Sequence, residues 1–273
     1  MSLAWHGWHW WLAYPLIGCF SGFVAGLFGV GGGLTIVPLL LFLFAAQGFP
    51  SEHVMHLSLG TAMATIVITS LSSMRAHHSH GAVRWEIFRV MSPGLVLGTL
   101  SGSLVAGWVP TRPLAMVFTA IVYVAAIQMM ADFKPKPTRA LPRSAGLFAA
   151  GLFIGGVSSL VAAGGGFLSV PFMFWHNVPV HQAVGTSAAL GFPIAVAGTL
   201  GYLISGWNTA NLPEYTFGYV YLPALIGIAA TTVLMAPVGA RTAHRLPIHG
   251  LKRAFGLMLA LLATSILWRL LKT

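Results

Sequence analysis

Long apolar runs constrain this chain more than any other feature of its sequence. Eight of them approach the length of about 20 apolar residues that crosses a lipid bilayer, and two are shorter. The ten segments lie near residues 10–30, 34–46, 53–74, 88–108, 114–132, 144–163, 167–176, 182–204, 217–237 and 251–271. Because only 7% of the residues are charged, the chain cannot cover a water-soluble globule with a charged surface. We therefore predict an all-α membrane protein that crosses the bilayer several times.

The charged residues that are present are mostly basic. There are 14 Lys or Arg against 4 Asp or Glu, which gives a net charge of +10. In a soluble chain this excess would suggest a nucleic-acid partner. In a membrane protein it marks the cytoplasmic loops that orient the chain. We therefore expect the lipid bilayer as a partner and no nucleic acid.

The sequence lacks the patterns of an enzyme site. It has no His-Glu-x-x-His or Gly-x-Ser-x-Gly motif and no pair of acidic residues inside an apolar segment. Cys19 is the single cysteine, which excludes a cysteine-based metal centre. The cluster of His77, His78 and His80 could ligate a divalent ion, but the arginines on either side favour a solvated cytoplasmic loop. We expect neither an enzyme nor a bound cofactor or metal.

The chain contains an internal duplication. Residues 22–38 read GFVAGLFGVGGGLTIVP, and residues 155–171 read GGVSSLVAAGGGFLSVP. The two glycine boxes, Gly31–Gly33 and Gly164–Gly166, align at an offset of 133. Further on, at an offset of 125, the matches are His56 with His181, Gly60-Thr61-Ala62 with Gly185-Thr186-Ser187, and Gly81 with Gly206. Such an ordered series indicates two repeats of one structural unit.

Basic residues indicate how the two repeats are oriented. The repeats are predicted at 1–131 and 144–273, with a basic, proline-rich linker at 132–143. The loop at 75–89 contains three arginines, whereas its counterpart at 205–216 has no Lys or Arg. Since Lys and Arg mark the cytoplasmic side, matching loops lie on opposite sides of the membrane. This predicts inverted repeats of five segments each, with the N-terminus in the periplasm and the linker in the cytoplasm.

The two short segments, 34–46 and 167–176, each follow a run of three glycines. Short apolar pieces at matching places in two halves predict broken or re-entrant helices around a substrate site. A helix that begins at such a break directs free N–H groups and a positive dipole end toward it, which suits an anion. The predicted binding residues are Gly31, Gly32, Gly33, Gly164, Gly165 and Gly166. The alternative is that these glycines only permit close helix packing, and whether the short segments cross or re-enter is left open.

Hydroxyl and histidine side chains supplement this prediction. Thr61, Thr186 and Ser187 lie in the duplicated Gly-Thr element and could donate hydrogen bonds to an anionic oxygen. The alternative is that they bond to their own or a neighbouring helix. His56 and His181 lie four residues before the two Gly-Thr pairs. Because histidine titrates near neutral pH, they are candidates for coupling transport to protons; the alternative is a helix-capping role.

The glycine boxes, each followed by a proline (Pro38 and Pro171) and later by a Gly-Thr element, resemble the sulfite exporter family TauE/SafE. Gly185-Thr186-Ser187 is the closer match, while the first copy has Ala62 where the family usually places serine. The resemblance covers residues from about 15 to 270. It implies a bacterial inner-membrane secondary transporter for sulfur-containing anions such as sulfite or organosulfonates, driven by an ion gradient.

An anion-selective channel built on the same broken helices is the alternative to a transporter. The flux of anions through such a channel would not respond to substrate placed on the opposite side of the membrane. The sequence leaves open which anion moves, in which direction, with which coupling ion, and whether two copies form a homodimer.

Overall fold

The computed structural model describes residues 9–28, 32–131, 139–243 and 248–272. This part of the chain is almost entirely helical, which confirms the predicted fold class. The helices are α1 (His9–Phe28), α2 (Gly33–Ala46), α3 (Val54–Ser79), α4 (Trp85–Trp108), α5 (Thr111–Met130), α6 (Ser144–Val161), α7 (Gly166–Trp175), α8 (Val180–Gly206), α9 (Leu222–Ala243) and α10 (Ile248–Lys272). A short antiparallel hairpin, β1 (Thr216–Phe217) and β2 (Val220–Tyr221), precedes α9.

Eight of the described helices are long and apolar enough to cross a membrane. The other two, α2 with 14 residues and α7 with 10 residues, would rise about 21 Å and 15 Å at 1.5 Å per residue. The hydrocarbon core of a bilayer is about 30 Å thick, so neither short helix can cross alone. The chain is a multi-pass membrane protein whose two short helices lie where the sequence predicts them.

The main helix pairs each take one helix from either half of the chain. Helix α1 packs along α9, α4 along α6, α5 along α10, and α3 along α8. If α1–α5 correspond in order to α6–α10, exchanging the two halves converts the α1–α9 pair into the α6–α4 pair. The α5–α10 and α3–α8 pairs are converted into themselves. Two repeats related by an internal two-fold axis are expected to give this pattern, although α4 packs more extensively on α8 than its counterpart α9 packs on α3. The inverted orientation of the halves in the membrane stays a prediction.

Helices α3 and α8 form the centre of the bundle. In an apolar stretch of 18 residues within each span, 83% of the α3 residues and 56% of the α8 residues are buried, against 28% to 39% in the other six spans. Around this centre the helices approach closely at glycines, as is common between membrane helices. A β carbon on Gly22 of α1 would lie 2.7 Å from the α carbon of Thr232 on α9, and one on the matching Gly155 would overlap the Leu95 carbonyl oxygen of α4. These two matched glycines therefore serve helix packing.

Candidate functional site

Both glycine boxes interrupt a helix, as the sequence predicts. Helix α1 ends at Phe28 and α2 begins at Gly33, while α6 ends at Val161 and α7 begins at Gly166. The residue before each short helix is a left-handed glycine: φ is 74° at Gly32 and 78° at Gly165. Glycine adopts this conformation without the steric cost that a β carbon imposes. Gly31 lies outside the described residues.

The two breaks touch each other. A β carbon on Gly33 would overlap the carbonyl oxygen of Ala162, which lies in the second break and has a left-handed φ of 47°. The same β carbon would lie 3.0 Å from Cδ1 of Ile66 on α3. The fold therefore brings the first glycine box of the sequence against the backbone of the second break.

The start of each short helix is buried in the protein. The first N–H groups of an α-helix have no acceptor inside the helix, and here those groups belong to Gly33 and Leu34 in α2 and to Gly166 and Phe167 in α7. All four residues are buried. Both helix N-termini are thus buried in the protein, and binding of an anion by their N–H groups stays a prediction.

Ser187 is joined to the second box through Ser169. The two hydroxyl oxygens are 2.6 Å apart, and the Ser169 hydroxyl donates to the carbonyl oxygen of Gly165 at 2.8 Å. Since the proton of Ser169 goes to that carbonyl, Ser187 donates to Ser169. Both side chains are fully buried. Ser187, one of the predicted ligands, therefore lies beside the second break.

Thr61 and Thr186 have matching contacts that cross between the halves. The Thr61 hydroxyl oxygen accepts a hydrogen bond from the backbone N–H of Tyr221 at 3.0 Å, and that of Thr186 accepts one from the N–H of Arg84 at 2.9 Å. Tyr221 directly precedes α9, and Arg84 directly precedes α4. Each threonine thus anchors the entry to the fourth helix of the other half. A direct contact of either hydroxyl with substrate stays a prediction.

The glycine before each threonine completes this arrangement, which the sequence reasoning missed. A β carbon on Gly185 would lie 2.6 Å from the Ala82 carbonyl oxygen, and one on Gly60 would overlap the carbonyl oxygen of Tyr219. The segment that enters the fourth helix therefore lies directly on the backbone of the central helix. We call each of these two arrangements a Gly-Thr clamp: Gly60 and Thr61 with 219–221, and Gly185 and Thr186 with 82–84.

The clamps also correct one detail of the repeat alignment. The sequence matches Gly81 with Gly206, but the residue that precedes the clamped segment in the second half is Gly218. Both Gly81 and Gly218 have a left-handed backbone, with φ of 65° and 52°. The chain between α8 and α9 is longer than that between α3 and α4, because it contains the hairpin. The difference in residue number between matching positions of the two halves therefore changes between the third and the fourth helix.

The two histidines matched by the repeat have different surroundings. His56 is buried, and its Nε2 lies 3.1 Å from the carbonyl oxygen of Ala106 and 3.0 Å from that of Val109. Its ring stacks on Tyr219 with 4.8 Å between centroids. His181 is exposed. His56 thus ties α3 to the corner between α4 and α5, whereas His181, exposed at the start of α8, has no such contact with the described part of the chain.

The histidine cluster lies on a helix and not in the solvated loop that the sequence suggests. Helix α3 continues to Ser79, so His77 and His78 belong to its last turn and His80 caps it. The Trp85 indole N–H donates to Nδ1 of His78 at 3.2 Å. Within the described ranges, no group of three His, Cys, Asp or Glu side chains is placed to hold a metal ion.

An apolar groove lies beside the second box, between α5, α6 and α7. Its cavity volume is about 660 Å³, and its lining includes Val124, Phe153 and Trp175, with Gln128 as its polar member. An anion needs several donors to replace its hydration, and this lining offers one amide. This lining is a poor match for an anion.

Comparison with known proteins gives a family match and several membrane transporter relatives. The model of the sulfite exporter family TauE/SafE matches residues 14–266. A probable membrane transporter protein of Haemophilus influenzae is 36% identical over 252 residues, which cover 92% of this chain and 95% of the relative. A probable membrane transporter protein of Methanocaldococcus jannaschii is 26% identical, and the match covers 86% of this chain and 87% of the relative. The probable membrane transporter protein YdhB of Bacillus subtilis is 24% identical, and the match covers 90% of this chain and 96% of the relative. No solved structure matches the chain. The resemblance in the glycine boxes is thereby confirmed, and the chain belongs to the sulfite exporter family TauE/SafE.

Proposed function

We propose that this protein is a secondary transporter that moves a small anion, sulfite or an organosulfonate, across the bacterial inner membrane by alternating access. The observation that carries the proposal is the contact between the two broken helices at Gly33 and Ala162. It places the buried N-terminus of α2 against the backbone of the break that precedes α7, in a protein whose relatives are named probable membrane transporters. The positive dipole ends of α2 and α7 would attract an anion from either half.

The buried polar groups fit an anion held without a charged side chain. None of the buried polar side chains in the described part of the chain belongs to Lys, Arg, Asp or Glu; they are Ser, Thr and His. A fixed buried cation would hold an anion too tightly for release and would be costly without substrate. Backbone N–H groups and hydroxyls supply weaker, neutral donors that suit a site that must load and unload.

The packing of the two halves supports alternating access. The proposed site lies where the first and the second half touch, so a small rotation of one half against the other would open it to one side at a time. The proposal places the N-terminus in the periplasm and takes the proton as coupling ion, with His56 and His181 as the titrating candidates.

Transport by protein in liposomes tests the proposal. Uptake of radiolabelled sulfite should exceed that of protein-free liposomes, should respond to an imposed pH gradient, and should accelerate when unlabelled sulfite is present inside. Acceleration from the opposite side is the mark of a transporter, and its absence together with a steady current would indicate the channel instead.

Two glycine variants provide a matched comparison for the role of the break. Gly165 and Gly81 both have a left-handed backbone, and the space around Gly81 is open, with nothing within 4 Å of an added β carbon. Gly165→Ala should abolish uptake because it changes the turn into α7. Gly81→Ala introduces the same conformational strain at a position away from the break, so this variant should retain uptake. Equal uptake by both variants would contradict a site at the second box.

A further inference from the structure

The apolar groove between α5, α6 and α7 lies on the outer surface of the helix bundle. Val124 and Ile127 of α5 and Phe153 of α6 line it, and each exposes more than half of its surface. Because α5 and α6 are long and apolar enough to cross a membrane, these side chains face lipid and not water. The cavity volume of about 660 Å³ lies within the range of about 300–1,000 Å³ that is typical of small-molecule sites. The groove is therefore large enough to hold part of a lipid molecule.

The groove ends at the linker between the two halves. Helix α5 runs into the linker and α6 begins after it, so the end of α5 and the start of α6 lie on this side of the bundle. The end of α7 lies there too, because the backbone N–H of Arg139 donates to the carbonyl oxygen of Trp175 at 3.4 Å. Trp175 is the last residue of α7 and lines the groove.

The polar groups of the groove lie at this same end. Gln128 is in the last turn of α5, and the guanidinium carbon of Arg139 lies 4.4 Å from the centre of the Trp175 ring. Farther from the linker the lining is apolar, with Phe153 on α6 and Leu168 on α7. A phospholipid has the same distribution of polarity, with a charged headgroup at one end and hydrocarbon beyond it.

The backbone of Arg139 holds this residue at the mouth of the groove. In addition to the bond from its N–H to Trp175, its carbonyl oxygen accepts a hydrogen bond from the side-chain amide of Asn177 at 2.9 Å. Arg139 is exposed, and in the described part of the chain it has no carboxylate partner. A guanidinium that stacks on a ring keeps the N–H groups at its edge available, and two of them match the oxygens of a phosphate. Arg139 is therefore positioned to bind an anionic headgroup.

The linker contributes further positive charge. Residues 132–143 contain four basic residues and one acidic residue. Among the basic ones, Arg143 directly precedes α6 and is exposed. The charge pattern of the sequence predicts that the linker lies in the cytoplasm, and the anionic lipids of the cytoplasmic leaflet attract basic segments beside membrane helices.

We infer that an anionic phospholipid binds in this groove, with an acyl chain against Phe153 and Leu168 and with its phosphate on Arg139. An acyl chain needs no hydrogen-bond donor, so the apolar lining that is a poor match for a free anion suits a lipid. This site is separate from the one proposed at the glycine boxes and does not depend on the proposed transport. The bound lipid contacts α7, the helix that begins at the second break.

Lipid titrations of the purified protein in detergent test the role of the headgroup. Dioleoylphosphatidylglycerol is anionic and dioleoylphosphatidylcholine is zwitterionic, but their acyl chains are identical. The apparent affinity is given by the mole fraction of lipid in the micelles at half of the maximal rise in unfolding temperature. The wild type should bind phosphatidylglycerol about fivefold more tightly, as expected for one arginine at the membrane surface. Because Arg139 is exposed, 1 M salt should remove this preference without weakening the binding of phosphatidylcholine.

Two arginine variants locate this preference. Arg139→Gln should bind the two lipids equally well, whereas Arg241→Gln should retain the preference of the wild type. Arg241 is a matched control because it is exposed in the last turn of α9, which packs on α1 and α3. Each variant is compared with its own unfolding temperature without lipid, so the lost contact of Arg139 with Trp175 does not affect the result.

Two alanine variants test the groove itself. Ala150 lines the groove, and its neighbour Ala149 is exposed on α6 outside the lining. Ala150→Phe fills the space and should reduce the rise in unfolding temperature with both lipids, whereas Ala149→Phe should respond as the wild type does. These variants and the wild-type comparison decide the question even if Arg139→Gln does not fold.

Three results would each overturn the lipid site. They are equal affinity of the wild type for the two lipids, a preference that persists in Arg139→Gln, and equal binding by Ala150→Phe and Ala149→Phe. Glycerol 1-phosphate, which has a phosphate but no acyl chain, distinguishes a lipid from a free anion. A rise in unfolding temperature with this compound that is lost in Arg139→Gln would mean that the linker binds free phosphate, and it would overturn the assignment to a lipid.

Discussion

The α carbon of Gly33 lies so close to the carbonyl oxygen of Ala162 that a β carbon at residue 33 would overlap this oxygen. Gly33 begins α2 in the first half, and Ala162 ends α6 in the second. The contact is between two backbones, so neither side can move away by changing a rotamer. It fixes the separation of the two breaks and makes glycine obligatory at this position.

Replacing Gly33 by alanine should therefore destabilise the protein. We expect a loss of about 3 kcal/mol or more, because overpacking against a rigid backbone forces the helices apart. Gly250 on α10 is the control, since nothing lies within 4 Å of its added β carbon. Gly250→Ala should raise stability by up to about 1 kcal/mol through helix propensity. Unfolding in detergent, followed by circular dichroism, measures both; equal stability of the two variants would contradict the contact.

The Gly-Thr clamps should respond to removal of the hydroxyl. Thr61→Val and Thr186→Val keep the shape of the side chain but leave the N–H of Tyr221 or Arg84 without its acceptor. Each should cost about 1–3 kcal/mol of stability. Thr61→Ser and Thr186→Ser retain the oxygen and should lose less. If valine and serine are tolerated equally well, the backbone contact contributes nothing measurable to stability, and the clamp interpretation is wrong.

The two matched histidines should differ in their effect on folding. His56→Ala loses two carbonyl contacts and the stack on Tyr219, so stability should fall by about 2 kcal/mol. His181→Ala changes an exposed residue and should stay within about 0.5 kcal/mol of the wild type.

Uptake driven by a pH gradient, measured on the same two variants, separates folding from proton coupling. A stable His181→Ala protein that no longer responds to the gradient would identify His181 as the coupling residue. An unchanged response would remove it as a candidate. For His56, a folded variant such as His56→Gln is compared in the same way.

The inverted orientation of the repeats can be tested by chemical labelling. Cys19 is the single cysteine, so Cys19→Ser gives a background without thiols. Ser79 and Asn208 are exposed in the loop regions that the charge pattern places on opposite sides. In intact spheroplasts, a membrane-impermeant maleimide should label Asn208→Cys and should label Ser79→Cys only after permeabilisation. Labelling of both from outside would mean that the repeats are parallel.

The sequence was sufficient to predict the ten helices and the two breaks, because both have strong local causes. Long apolar runs directly indicate helices that lie in lipid. A left-handed turn such as that at Gly165 strongly favours glycine. Helix α3 extends five residues beyond its predicted end at 74, to Ser79. The sequence does not predict this last turn, because its residues are polar and the prediction rests on apolar runs.

The contacts of the Gly-Thr element could not be read from the sequence in the same way. Thr186 and Arg84 are 102 residues apart, and no pattern in one sequence indicates which distant backbone a hydroxyl meets. The sequence therefore predicts these threonines as ligands but gives no indication that each hydroxyl oxygen accepts a hydrogen bond from the other half. One signal was available: Gly81 and Gly218 both precede the fourth helix of their half, but the hairpin insertion hid the match.

The pairing of α1 with α9 has a consequence for the order of events during synthesis. The Thr231 hydroxyl of α9 donates to the carbonyl oxygen of Pro15 on α1, 216 residues earlier in the chain. At about 5–20 residues per second, the ribosome needs about 10–40 s to make that stretch. During this time α1 lies in the bilayer without its final neighbour, and Gly33 lacks its contact with Ala162 until α6 has been made. The transporter can take its mature form only after nearly all of its helices have left the ribosome.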